Sequence, residues 1–447
     1  MSIELITILF FGSMVLLLAL GLPVAFTLGG IGVIFIVFLW DISALPAVAL
    51  DIFGKMTNFI LVAIPLFIFM ANVLERSGVA DDAYEMMYRW FGPLRGGLAV
   101  GTVIICTIFA AMSGISAAAT VSMGLIAVPS MLKRGYEKEL GMGSVQAGGA
   151  LGVLIPPSII MIVLALFGQL SVGKLFAGGM IPGLILSSLF IIYILIRSFL
   201  QPNLAPALPS EMRSSWRDKL ISLRAVILPV LLIVAVLGSI LAGMATPSEA
   251  AGIGAFGSII CAAVYGRFNW RMFKEACDQT IRLSAMVMWI IFGACCLSVA
   301  YIAVGADELI GKVLLGLPGG RWGPLIIMVF IWVILGCFLD NFGILAITTP
   351  VFFPVVRTLG FDPLWFGILY VLTIETSYLT PPFGFNLFFM RGITPFIKRE
   401  TGIDISMGDI YRSIVPFVGI QLVALVLVMV FPQLALWLPN VVFGIKK

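Results

Sequence analysis

The stretch "GALGVLIPPSIIM" (Gly149–Met161) and its counterpart "TSYLTPPFGFNLF" (Thr376–Phe388) decide how this chain is read. Each is an apolar run of membrane quality with two adjacent prolines near its middle. Proline has no N–H, so the carbonyl four residues earlier loses its helical partner. Pro156 and Pro157 thereby release the carbonyls of Gly152 and Val153, and Pro381 and Pro382 those of Ser377 and Tyr378. The residue before a proline is also pushed out of helical geometry. Small residues flank both breaks: Gly148, Gly149 and Gly152 in one, Ser377 and Gly384 in the other. Bare carbonyls in hydrocarbon cost on the order of several kcal/mol each, so they persist only when buried in protein or facing water or an ion. The expected geometry is a re-entrant hairpin that turns near mid-bilayer and leaves on the side it entered. The competing reading is a kinked but continuous helix.

Composition sets the frame. Of 447 residues, 61% are hydrophobic and 11% charged, against about 45–50% and 25% in a soluble domain. Apolar runs of roughly 17–25 residues, enough to cross the bilayer, recur about a dozen times. The short alternating strands of a membrane barrel are not seen. The chain reads as an all-α polytopic membrane protein surrounded by lipid, its N-terminal run a retained first helix rather than a cleaved signal. The net charge of +4 says little, because the placement of Lys and Arg matters more than their sum. Nothing points to nucleic acid or to a cofactor. Six cysteines show no metal-type spacing and read as small buried hydrophobes. Histidine is absent, which removes the commonest metal ligand and proton shuttle. With no paired acidic motif either, a membrane hydrolase or lipid transferase lacks its nucleophile–base pair or metal cluster.

A shift of 225 lays the chain on itself. Pro93 falls on Pro318, Pro129 on Pro354, Gly135 on Gly360, and Pro156-Pro157 on Pro381-Pro382. With a shift of 222, "GGIG" at 29–32 matches "AGIG" at 251–254, and "SVGKLFAGGMIP" (171–182) resembles "SMGDIYRSIVP" (406–416) after an insertion. Two repeats are therefore expected, 1–200 with a hairpin at about 142–168 and 225–447 with a hairpin at about 365–392, joined by a polar linker at 201–224. Twofold internal repeats mark secondary transporters, whether parallel or inverted. Lys133, Arg134 and Lys138 face Thr358, Leu359 and Pro363 in the other half; basic loops prefer the cytoplasm, so the asymmetry favours inversion. The linker is basic too, and charge counting leaves the orientation open.

A second interruption precedes each hairpin. "FAAMSGISAAATVSMG" carries Ser113, Gly114, Ser116 and Thr120; "LGCFLDNFGILAITTP" carries Gly336, Asp340, Asn341, Gly343, Thr348 and Thr349. An intramembrane carboxylate is a functional hypothesis by default, so Asp340 stands out, its bland alternative being to cap a restarting helix. Glu375 is the other candidate acid. Glu249 reads as a helix-entry acid, and Asp81, Asp82, Asp307 and Glu308 as solvated. A substrate anion could be met by helix N-termini, Ser, Thr and Asn386 rather than by a fixed arginine; Arg391 reads as interfacial.

Together "SGISAAAT", "GALGVLIPPSI", "GCFLDNFGILAITTPVFFPVV" and "YLTPPFGFNLF" resemble the large membrane subunit of tripartite ATP-independent periplasmic (TRAP) transporters, over nearly the whole chain. The resemblance implies an inverted repeat with a scaffold and a mobile transport part working as an elevator, in the bacterial inner membrane. It implies sodium-driven uptake of an organic anion, delivered by a periplasmic binding protein and assisted by a small four-helix membrane subunit. Carried over by position, one sodium site draws on Ser113, Ser116, Gly149, Val153 and Pro156. The other draws on Gly336, Asp340, Thr376, Thr380 and Phe383, mainly through carbonyls. Ser158, Asn341 and Asn386 are the expected substrate contacts. Two departures stand out: the acid position in "GCFLDN" is commonly Glu, and a Thr often stands where this chain has Ala150. The alternative is a self-sufficient ion-coupled carrier that needs no binding protein.

Overall fold

Short polar side chains set where the helices begin. Ser158, Ser171, Thr246, Asn269, Asp340, Asp362 and Ser406 each accept a hydrogen bond from a backbone N–H of the first turn they precede, which satisfies a donor the helix itself leaves open. The computed structural model describes residues 2–114, 116–209, 211, 213–381 and 384–444, with the side chains of Ala19 and Ser113 left aside. The first half comprises α1 (Ile3–Ala19), α2 (Val24–Leu39), α3 (Leu45–Met56), α4 (Ala63–Arg76), α5 (Val79–Phe91), α6 (Gly97–Ser113), α7 (Ser116–Leu132), α8 (Lys138–Ala150), α9 (Ile159–Gly168) and α10 (Val172–Leu200). After a short α11 (Trp216–Ser222) come α12 (Arg224–Leu241), α13 (Pro247–Val264), α14 (Trp270–Ala303), α15 (Ala306–Leu315) and α16 (Trp322–Gly336). The chain ends with α17 (Asn341–Thr358), α18 (Pro363–Leu379), α19 (Phe385–Thr401), α20 (Met407–Val430) and α21 (Gln433–Phe443). No strand occurs among the described residues. Among the described residues seven helical stretches are long and apolar enough to cross a bilayer, and shorter apolar helices, α6, α7, α9 and α16 among them, flank the breaks.

Helix starts recur at the spacing read from the prolines: Gly97 and Trp322, Ser116 and Asn341, Lys138 and Pro363. The packing recurs as well. α6 lies on α8 and α16 on α18; α7 lies on α19 and α17 on α9; α8 lies on α20 and α18 on α10. These ten helices form one packed unit. Around it, α2 runs along α14, and α13 along α4.

Glycine makes those outer contacts close. A Cβ on Gly32 would stand 2.5 Å from the Cys296 carbonyl, and one on Gly293 2.4 Å from the Ala25 oxygen. On the matching face of α13, a Cβ on Gly254 would stand 2.6 Å from the Met70 sulfur. Helices in lipid gain no hydrophobic drive from meeting each other, so association rests on such small-residue faces, where backbones approach.

The polar ends follow ordinary rules, with one correction. Glu249 forms a capping box with Thr246, as its position suggested. Asp82 is not simply solvated: Arg267 pairs with it at 2.8 Å and donates to the Ser77 carbonyl at 2.8 Å, tying the start of α5 to the α13–α14 loop. Lys138–Asp409 at 2.7 Å and Lys133–Glu400 at 3.0 Å join the two halves at one end of the unit.

Candidate functional site

The first break is a glycine stop. α6 ends at Ser113, and Gly114 adopts φ 60°, the left-handed conformation that glycine takes without strain. The neighbouring hairpin tip fills the space a side chain would need: a Cβ on Gly114 would lie 2.4 Å from the Pro157 carbonyl oxygen. The hairpin descends as α8, tightens into a 3-10 turn at Leu151–Val153 and turns through a cis Pro156–Pro157 bond before α9 rises from Ser158. The segment is thus two helices with a turn between them, not one kinked helix.

One expectation about this tip is corrected. The Val153 carbonyl is not bare, because the Ser158 hydroxyl donates to it at 2.6 Å. Ser158 also accepts from the Met161 N–H at 3.4 Å, and its side chain is buried. The proline that removes a backbone donor is followed by a serine that replaces it, so Ser158 holds the tip together.

Ser116, the first residue of α7, donates to the Asn386 side-chain oxygen Oδ1 at 2.8 Å, and the Asn386 amide donates to the Gln146 backbone oxygen at 2.9 Å. Gln146 in turn donates to Ser413 at 3.0 Å. All of these side chains are buried. The chain of bonds stitches α7, α19, α8 and α20 together across the two halves, and Asn386, expected at the substrate, is engaged in it. Beside it stands a hydroxyl that pattern reading did not place in the site. Thr120 is fully buried, its oxygen has no hydrogen-bond partner among the described residues, and a Cβ on Gly149 would lie 2.1 Å from it.

The second break is built differently. α16 ends at Gly336, and Asp340 caps α17 by accepting from the N–H groups of Phe342 at 3.1 Å and Gly343 at 3.4 Å through one oxygen. Its other oxygen, Oδ1, is buried with no partner among the described residues. The capping reading is therefore right for half of the carboxylate and leaves the other half to act. Asn341 donates to the Tyr378 hydroxyl, and Tyr370 donates to the Asn341 carbonyl at 2.7 Å. A Cβ on Gly336 would meet the Ser377 hydroxyl oxygen at 2.1 Å, so the end of α16 lies directly on the hairpin arm.

The hydroxyls of that arm turn inward on their own helix. Thr376 donates to Leu372 at 3.1 Å, Ser377 to Thr373 at 3.1 Å and Thr380 to Thr376 at 2.8 Å. The Ser377 carbonyl, expected to be released by Pro381, accepts from the Thr380 N–H at 3.2 Å. Pro382 and Phe383 lie outside the described residues, as does the side chain of Ser113. α19 continues past the expected hairpin end to Thr401, where Gly402 at φ 73° stops it. Glu375 is fully buried on α18 with neither oxygen hydrogen-bonded among the described residues; Gln421 of α20 is the polar side chain facing it.

Both breaks open on one cavity of about 70 Å³. Gly114 and Val153 of the first half and Phe342 and Tyr378 of the second line it, together with Ile159 and Ile160 of the first turn of α9. Ile68 of α4 and Leu283, Met286 and Val287 of α14, helices outside the central unit, complete the lining. Of the expected site residues, Val153 reaches this cavity, and Asn341 stands behind it through Tyr378. Buried oxygens lacking a partner among the described residues, and so suited to a small hard cation, include the Oδ1 of Asp340, the hydroxyl of Thr120, the Oε1 of Gln146 and both carboxylate oxygens of Glu375; of these, Asp340 and Thr120 belong to the two breaks.

Comparison with known proteins gives a consistent answer. Residues 11–434 match the family described as "Tripartite ATP-independent periplasmic transporter, DctM component". The C4-dicarboxylate TRAP transporter large permease protein DctM of Vibrio cholerae is 32% identical over 99% of this chain and 99% of its own length. That of Pseudomonas aeruginosa is 33% identical over 90% of this chain and 92% of its own. The ectoine large permease TeaC of Halomonas elongata is 28% identical over 98% of this chain and 100% of its own. Among solved structures, the Alcanivorax borkumensis YdaH transporter, described as having an unusual topology, aligns with a TM-score of 0.62 over 91% of this chain and 90% of that one; at 18% identity the likeness is one of fold.

Proposed function

This chain belongs to the DctM component family of tripartite ATP-independent periplasmic transporters, and from that premise we propose that it takes up an organic anion by sodium symport. It is a large permease subunit, a multi-pass protein of the inner membrane, and its relatives are transporter permeases rather than enzymes. Those relatives are named for C4-dicarboxylates, isethionate, ectoine and sialic acid. A periplasmic binding protein delivers the substrate, and a small four-helix membrane subunit completes the permease. The two halves act as inverted repeats, and the unit of α6–α10 and α16–α20 moves against α1–α5 and α12–α15 as an elevator.

The observation that carries this reading is the convergence of two broken helices and a hairpin tip on one cavity that α4 and α14, helices outside the central unit, also line. A substrate there touches both the unit that moves and the helices it moves against, so sliding of one along the other carries it across the membrane. Sodium held at Asp340, two residues before the cavity-lining Phe342, supplies positive charge to an anion site that has no basic lining side chain among the described residues, and Thr120 and Ser116 are the first half's oxygens for a second ion. The ion's role is electrostatic; the chain's own part is to hold oxygens where an anion and a cation neutralise each other.

The test is uptake in proteoliposomes that contain both membrane subunits, with the binding protein added outside. Uptake should follow an inward sodium gradient and stop when potassium replaces sodium. Equal uptake in potassium removes the sodium claim. Undiminished uptake without the binding protein assigns the chain to the self-sufficient carriers.

A further inference from the structure

We propose that Glu375 and Gln421 form a proton-binding site inside the protein: Glu375 holds one proton and shares it with the Gln421 amide, closing α18 onto α20. The site does not line the cavity, and the inference stands apart from the coupling ion and from what the permease carries. Glu375 is 0% exposed and Gln421 1%. Near the start of α18, Trp365 donates to the Val428 carbonyl near the end of α20 at 2.8 Å. Further along α18 and further back along α20, Gln421 is the polar side chain that faces Glu375. Yet both Glu375 oxygens, and the oxygen and nitrogen of Gln421, have no hydrogen-bond partner among the described residues.

Counting donors and acceptors names the missing piece. The Gln421 amide brings two N–H donors and one oxygen acceptor, while an ionised Glu375 only accepts. With a proton on Glu375 the pair closes reciprocally. Its O–H donates to the Gln421 Oε1, and its other oxygen accepts from Nε2, so all four atoms are satisfied. A sodium ion among the same oxygens leaves Nε2 without an acceptor. Charge argues the same way, because a buried carboxylate is neutralised unless a cation faces it. Among the described residues none does. On the helices packed against α18, Asp409, Tyr411 and Arg412 lie in the first two turns of α20, where Lys138 and Glu139 of α8 pair with the two charges. Arg357 of α17 donates to the Gly168 carbonyl and Arg391 of α19 to that of Ile405. Lys398, Arg399 and Glu400 close the last turn of α19, and Lys174 and Arg197 stand at opposite ends of α10, with Tyr193 bonded to Arg197. Asp340 caps α17, and Tyr370 and Tyr378 of α18 itself are engaged with Asn341. α9, α16 and α21 carry no charged side chain.

Tm of the purified full chain, followed in potassium buffer from about pH 5 to about pH 9, tests this; the range lies above the titration of an ordinary glutamate and below that of an ordinary lysine. The chain has no histidine to titrate there. Across it the folded chain keeps a proton that the unfolded chain has given up, so stability falls as pH rises. Tm should drop by several degrees toward the alkaline end. Glu375→Gln, whose amide closes the same reciprocal pair without a titrating proton, should lose at least half of that drop. In the infrared, the unaltered chain near neutral pH should show the C=O stretch of a protonated carboxyl, which alkali removes and Glu375→Asp displaces. An equal drop in Glu375→Gln, or no such band in the unaltered chain, overturns the inference. So does a rise in Tm on adding sodium that Glu375→Gln abolishes, which would put the metal ion between the two side chains in place of the proton.

Discussion

Asp340 divides its carboxylate between two tasks, and a single substitution separates them. One oxygen caps α17; the other is buried without a partner among the described residues. Asparagine caps helices about as well as aspartate, so Asp340→Asn should leave Tm almost unchanged. If Oδ1 serves sodium, the half-saturating sodium concentration for uptake should rise about tenfold, equivalent to ~1.4 kcal/mol. Unaltered sodium dependence would return the residue to capping alone. Thr120 makes the parallel case in the first half. Thr120→Val keeps the shape and removes the orphaned oxygen, and a lost bond to a charged partner is worth roughly 1.5–3 kcal/mol. Sodium affinity, read from the sodium-dependent shift in Tm, should fall at least tenfold and be restored by Thr120→Ser. A valine variant with the sodium response intact excludes the hydroxyl from the ion's surroundings.

At the scale of elements, the breaks are held open by contacts rather than by chain stiffness. Gly114 both ends α6 and admits the Pro157 carbonyl of the hairpin tip. Gly114→Ala therefore meets two penalties, the left-handed backbone at roughly 1–2 kcal/mol and the approach of that carbonyl. The protein should melt several degrees lower in detergent and lose uptake more completely than stability; a normal Tm with normal uptake would show that tip and break separate freely. The existence of these breaks was legible in the sequence because proline and glycine act on their own backbone. Which carbonyls they leave open was not. Ser158 takes up the Val153 oxygen and the Thr380 N–H takes up that of Ser377, and such repairs depend on the turn each tip adopts. The wall of Ile68, Leu283 and Met286 was equally invisible. In a membrane helix the lipid face is as apolar as a dry cavity face, so apolar periodicity does not tell one from the other. The pairing of Asn341 with Tyr378 likewise joins residues whose spacing gives no hint that they meet.

Across the whole molecule, the two halves are joined by exchange. α2 lies along α14 through Gly32 and Gly293, and α13 lies along α4 through Gly254. The chain of Ser116, Asn386, Gln146 and Ser413 crosses between the halves inside the central unit. The surface ion pairs that also cross, such as Lys133–Glu400, contribute little by comparison: both side chains are half exposed, and exposed pairs are worth about 0–1 kcal/mol.

The exchange of α2 and α14 has a consequence for how the protein is made. While the ribosome is still translating the second half, the Gly32 face of the first has no helix to rest on, and Cys296 must emerge before that groove closes. The first half is an unfinished object until the chain is nearly complete. A gene cut within the segment encoding residues 201–224 should yield two fragments that are each degraded when expressed alone and that accumulate together as a copurifying pair competent for uptake. Stable accumulation of either fragment by itself would mean that each half can satisfy its own small-residue faces in lipid.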